Sequence, residues 1–81
     1  MYSNLIAKAR NLVVEFYLRS GDRKVAGKVI ESDEVFIEAI VRINVKSGEF
    51  APDRKTFEKA TGADWREDRI LINVSDISII G

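Results

Sequence analysis

The 81-residue chain contains neither histidine nor cysteine, and those two absences remove much of the chemistry open to a small protein. Without imidazole no side chain titrates near neutrality in its ordinary state. Without thiol there is no thiolate nucleophile, no disulfide and no sulfur ligand for a metal. Asp64, Glu67 and Asp68 are hard-oxygen donors that could meet a divalent cation. Their spacing lacks the glycine-centred loop of a dedicated site, and Arg66 and Arg69 are interleaved as ready ion-pair partners, so the trio reads as surface charge. The glycines do not assemble a phosphate-cradling loop. No catalytic residue, metal or cofactor is expected, and the chain is not read as an enzyme.

What remains is binding. Thirteen Lys and Arg balance thirteen Asp and Glu, so no global field draws the chain to nucleic acid or to a membrane. The distribution is uneven. Up to Ile30 there are six bases, Lys8, Arg10, Arg19, Arg23, Lys24 and Lys28, against Glu15 and Asp22, whereas Glu31, Asp33, Glu34 and Glu38 follow without an intervening base. One surface is therefore either locally basic or simply solvated by mixed charge. Tyr17, alternating with Glu15 and Arg19, either stacks on a base, touches a neighbouring subunit or faces solvent. Phe57 and Trp65 either form a protruding contact surface or anchor an insertion.

These residues need a scaffold. Ser3 or Asn4 can cap a short helix over 3–12 with Leu5, Ile6, Ala9 and Leu12 near helical spacing. From Val13 the period changes to two: Val14, Phe16 and Leu18 alternate with Glu15, Tyr17 and Arg19, and Ser20-Gly21-Asp22 supplies a turn. Lys24 to Glu31 repeats the pattern around Gly27, a glycine that either lets the strand bend or admits a ligand to the backbone. After a turn at Ser32-Asp33-Glu34, a third run from Val35 to Val45 is long enough to bend and serve two parts of a barrel. Strand periodicity stops over 46–68, where Asp53 to Ala60 reads as a short helix ended by Gly62. It resumes over 69–81, with a tight break at Ser75-Asp76. The expectation is one mainly β domain, a small, strongly bent antiparallel five-stranded barrel with an N-terminal helix and a helical insertion before strand 4.

Seven of the thirteen residues from Arg69 to Gly81 are Ile, Leu or Val. An apolar strand of this kind exposes an unpaired edge unless something covers it. No apolar stretch approaches the roughly 20 residues that span a bilayer, since Asn73, Ser75 and Asp76 interrupt the best candidate. No basic-then-apolar leader is evident, and a cytoplasmic location is the default expectation.

The run "NLVVEFYLRSGDRKVAGKVIESDEVFIEAIVRI" (11–43) resembles the first motif of the Sm-like family (Sm, LSm and Hfq proteins), and "ILINVSDISII" (70–80) resembles its second. Gly27 and Asp33 fall where that family has its glycine and its acidic turn residue. The resemblance implies an Sm-like (SH3-like) barrel whose last two strands pair edge to edge between copies, closing a homo-oligomeric ring of five to seven subunits through Ile70, Ile72, Val74, Ile77, Ile79 and Ile80. The alternative is a monomer in which Ile77 to Ile80 pairs with the first strand and closes its own barrel. Family rings commonly hold a uracil with an acidic residue, an asparagine and an Arg-Gly pair. Asp33 matches the first, but the asparagine position falls at Ile37 and the Arg-Gly pair near Asn73-Val74, which removes base-edge hydrogen bonds and positive charge. Phe36 either stacks on a base or fills the barrel, and Asn73 could offer its amide. The divergence and the insertion would suit a member carried by a phage or mobile element. The implied function is single-stranded RNA binding as a scaffold or chaperone, with Lys8, Arg10, Arg23, Lys24 and Lys28 on phosphate. The competing reading is a structural or protein-interaction ring that has lost RNA binding.

Overall fold

Apolar and polar residues begin to alternate at Val13, and a computed structural model, which describes residues 12–80 and the side chains of 12–78, places β1 there, at Val13–Leu18. β2 follows at Arg23–Ser32 and β3 at Phe36–Asn44. A short helix, α1, spans Arg54–Lys59. β4 runs over Trp65–Asn73, a 3-10 turn over Val74–Asp76, and β5 over Ile77–Ile80. The helix expected over 3–12 falls, but for Leu12, outside the described residues, as do Lys8 and Arg10.

The five strands form one antiparallel sheet in the order β4-β3-β2-β1-β5. Its inner face is the apolar half of each alternation: Val14 and Phe16 from β1, Val29 from β2, Ile37 and Ala39 from β3, Ile72 from β4 and Ile77 from β5 form one buried cluster. No second layer covers that face among the described residues, so it is buried by the sheet curling over itself. Irregular registers between Tyr17 and Leu18 and between Val29 and Glu31 supply local bends. Gly27 supplies another close approach. A Cβ built there would lie 3.1 Å from that of Ala39 on β3 and 3.5 Å from Ile40 O, so this glycine makes room for the neighbouring strand and not for a ligand.

The curl stops short of closure. β5 pairs with β1, Leu18 opposite Ile77, Tyr17 opposite Ile79 and Phe16 opposite Ile80, but it does not reach β4. The five expected strands are present and the closed barrel is not. No further strand pairs with the outer edge of β4 or β5 among the described residues.

Two other expectations need correction. β4 starts at Trp65, not at residue 69, because Trp65 and the three charged residues after it continue the ladder with β3, from Asn44 opposite Trp65 to Val41 opposite Asp68. An edge strand needs only its backbone for this. Val35 and Val45, expected to extend the inner face of β3, lie outside the strand and are exposed. In the insertion, Asp53 caps α1 by accepting from Thr56 N at 2.7 Å. The helix ends at Ala60, and Gly62, at φ +92°, belongs to the turn beyond and not to the helix stop.

α1 and the preceding loop cover the outer face of β1 and β2. Ala26, Ala51 and Phe57 make a second small core, with Val13 and Trp65 packed against it. β2 is thus buried on both faces at Val25-Ala26-Gly27. The insertion is integrated into the fold, and the protruding-surface reading of Phe57 is overturned by its burial.

Candidate functional site

The turn between β2 and β3 is built on Asp33. Its Oδ1 accepts from Val35 N and Phe36 N, both at 2.7 Å, while Asp33 N donates to Phe36 O at 2.9 Å. The hydrogen bond from Phe36, and then that from Val35, hold the Asp33 carboxyl below its ordinary range. That oxygen is therefore engaged by its own turn. Phe36 opens β3 opposite Asn73 at the end of β4. Asn73 in turn caps the 3-10 turn, its Oδ1 accepting from Ser75 N at 3.0 Å and Ser75 Oγ at 2.8 Å.

Asp33, Phe36 and Asn73 are thus brought together at one end of the sheet, with each of the two polar side chains accepting hydrogen bonds from its own turn. Beside them is a hollow of about 210 Å³ lined by Glu31, Ser32, Asp33, Phe36, Glu38 and Leu71. Phe36 is 41% exposed and Leu71 66% exposed. An apolar pair rimmed by three carboxylates repels phosphate. Ile37, at the family's asparagine position, is fully buried and cannot reach a ligand.

The expected bases lie elsewhere. Arg23 and Lys24 open β2, eight or nine residues before Ser32, which places them about 25–30 Å along the strand from the Asp33 turn. Together with Gly21, Gly48, Glu49, Phe50 and Pro52 they line a cleft of about 500 Å³. The Arg23 guanidinium lies 5.5 Å from the Phe50 ring centroid, within cation–π range. Lys24 Nζ lies 3.6 Å from Glu15, half exposed, an ion pair that solvent leaves weak. Gly48, at φ +73°, turns the chain so that Phe50 can bridge to Ile43. Lys28 stands exposed midway along β2.

Two signals were absent from the sequence reading. Phe50 carries no periodic signature in its loop, yet it gives the cleft an aromatic wall. Asp76 accepts from Ser20 N and Ser20 Oγ, each at 2.8 Å, and its carbonyl accepts from Arg19 N at 2.8 Å, clamping the β1–β2 turn beside the cleft to the β4–β5 turn. Tyr17 donates its hydroxyl to Asp22 and is half-buried.

The acidic trio is dispersed: Asp64 faces Lys46 at 3.7 Å, Glu67 pairs with Arg42 at 3.2 Å, and Asp68 accepts from Arg69 N. Among the described residues no group of three carboxylates is placed to hold a metal ion. Among the described residues no helix is long and apolar enough to cross a membrane.

Of the residues expected at a subunit interface, Ile72 and Ile77 are buried in the chain's own core, and Ile70 and Val74 are partly buried against it. The side chains of Ile79 and Ile80 lie outside the described residues, although their backbones pair with β1. These strands can meet a neighbour through the backbone edges of β4 and β5, not through the side chains of Ile72 and Ile77. No family model, curated protein or solved structure matches the chain.

Proposed function

We propose that the chain is an Sm-like module that assembles with its own copies through the outer edges of β4 and β5, and binds single-stranded RNA as a scaffold or chaperone. The observation that carries the binding half is the convergence of Arg23, Lys24 and Phe50 on one open cleft. Guanidinium and aromatic planes offer stacking surfaces to unpaired bases, and the two cations meet phosphate. The Asp33 end, where the resemblance would put the base site, is acidic and is left out of the RNA contact.

Fluorescence anisotropy of labelled oligo(U), oligo(A) and mixed RNA, at low and physiological salt, tests this. Saturable binding that weakens with salt is expected. Arg23→Ala and Lys24→Ala should each reduce the slope of log K against log salt by about 0.7, the value for one lost contact to a single strand. Binding unaffected by either substitution would remove the cleft from the reading.

A second reading, a protein-interaction module without RNA, is favoured by the acid-rimmed Phe36 and Leu71 pair. Absence of RNA binding by folded protein at low salt would select it.

A further inference from the structure

The cleft at Arg23 and Lys24 continues into a second space. It shares Gly21, Arg23 and Phe50 with a neighbouring hollow of about 410 Å³, whose other walls include Leu18, Val25, Ile70 and Ile72. These four belong to the inner face of the sheet. Val25 lies in a buried cluster with Val41 and Ile43, against which Leu18, Phe50 and Ile70 pack, and Ile72 lies in the larger cluster. The hollow is the part of the inner face left unfilled where the sheet stops short of closing between β4 and β5. An aliphatic chamber and a basic cleft therefore meet along one boundary.

Several contacts fix that boundary. Asp76 accepts from Ser20 N and Ser20 Oγ, and so holds the residue before Gly21. Gly21 has φ +77°, and a Cβ built on it would lie 3.0 Å from both Nε and Nη2 of Arg23. The guanidinium therefore rests against the Gly21 backbone, in space that a larger residue would take, and lies 5.5 Å from the Phe50 ring centroid. Held in this way, Arg23 can meet an anion with little further ordering of its long side chain. Lys24 adds a second, half-exposed cation to the same cleft.

The two sides of the boundary ask for different halves of one ligand. The cleft suits an anionic group, and the chamber suits a group with broad apolar faces. Ser20, Asn73 and Asp76, exposed or half-buried, give the chamber a polar rim, so an inserted polar edge keeps hydrogen-bonding partners. Its volume lies within the range of small-ligand sites. A nucleotide unit carries both halves.

We propose that the aliphatic hollow is the base chamber of the RNA site: one unstacked base enters it past Phe50 while the adjoining phosphate stays on Arg23 and Lys24. This rests on the RNA reading and goes beyond it, because it places a base inside the open sheet and not at the Asp33 turn. Apolar walls hold a base by its faces and do not read its edge, so purines and pyrimidines both enter. Assembly is not required.

Intermolecular NOEs in the full chain test the placement. Protein with isotope-labelled Leu, Val and Ile methyl groups and Phe rings is titrated with unlabelled oligo(A) and oligo(U) at low salt. Cross-peaks from base protons to the methyl groups of Leu18, Val25 and Ile70 are expected with both oligomers. Ile70→Phe, which fills the chamber, should remove them and weaken binding about tenfold, the loss of one held base. The salt slope should be kept, because Arg23 and Lys24 are untouched. Should that variant fail to fold, the wild-type cross-peaks alone decide. Salt-sensitive binding with cross-peaks to the Phe50 ring only, or an affinity unmoved by Ile70→Phe in a folded protein, would overturn the chamber and leave the RNA reading standing. Absence of binding by the folded chain would overturn that reading and the chamber together.

Discussion

Asp33 and Asp53 hold two turns by one device, a carboxylate oxygen accepting from backbone N–H groups two or three residues ahead. In both the hydrogen bonds favour the charged form and depress the pKa, from Phe36 and then Val35 for Asp33 and from Thr56 for Asp53, where the positive charges of Lys24 and Lys55 add a smaller pull in the same direction. A carboxyl whose folded pKa lies below its unfolded value contributes stability above the unfolded value, and that contribution disappears as pH falls through the folded one. Stability should therefore decline from about pH 5 downward, and Asp33→Asn with Asp53→Asn should lower it at neutral pH while flattening the acid limb. Thermal unfolding of both proteins across that range checks this; parallel curves would mean that neither carboxylate is linked to folding. Gly27 is a different residue-scale constraint, because its missing side chain lets β2 approach Ala39 and Val41. Gly27→Val puts three carbons where the gap to Ala39 Cβ is already tight, and overpacking should cost about 1–3 kcal/mol. Urea unfolding should show a lower midpoint at unchanged m-value.

At the scale of elements, the insertion is held by Arg42. Its guanidinium lies 4.3 Å from the Phe57 ring centroid, donates to Phe57 O at 2.5 Å and meets Glu67 at 3.2 Å. One side chain on β3 therefore ties α1 to β4. Phe57→Ala should cost about 3–5 kcal/mol, a large share of the roughly 4–12 kcal/mol available to a domain of this length. Arg42→Ala should cost less, and the two should couple by more than about 0.5 kcal/mol in a double-mutant cycle. Additive losses would mean that the stacked pair contributes nothing beyond its separate contacts. This part of the fold was only partly legible in the sequence. Asp53 and Phe57 announced a capped helix with an apolar anchor, and the alternations through Val14, Phe16, Val25, Val29, Ile37 and Val41 announced three strands with one buried face. Local pattern could not show that α1 would cover Ala26, whose small side chain on the outward phase of β2 looks neutral until its partner is known. Nor could it show that Trp65 to Asp68 is a strand, since an edge strand is held by backbone pairing and tolerates charge on both faces. The candidate site was legible in its residues and not in its grouping: Arg23 and Asp33 were both named, yet they lie at opposite ends of β2.

At the scale of the whole molecule, the open sheet sets the remaining question. The inner face is buried by curling, but between the β1–β2 turn and β4 there remains a cleft of about 410 Å³ lined by Leu18, Val25, Phe50, Ile70 and Ile72 among others. Below it the outer edges of β4 and β5 have no strand partner among the described residues. Two different edges of one sheet cannot satisfy each other through a two-fold axis. A β4-to-β5 contact is heterologous, so it either closes into a ring or continues as a filament. The curl of the sheet favours closure, since each added copy would turn the direction of the next. Light scattering of the purified chain should therefore give a discrete multiple of 9.1 kDa that does not grow with concentration. Ile79→Asp places a charge on β5, the means by which natural edge strands resist pairing, and should reduce that mass toward one chain. Circular dichroism on the same samples should show the β signal retained. A wild-type mass of one chain would leave the edges open in solution and remove assembly from the reading, while an oligomer unchanged by Ile79→Asp would place the contact somewhere other than β5.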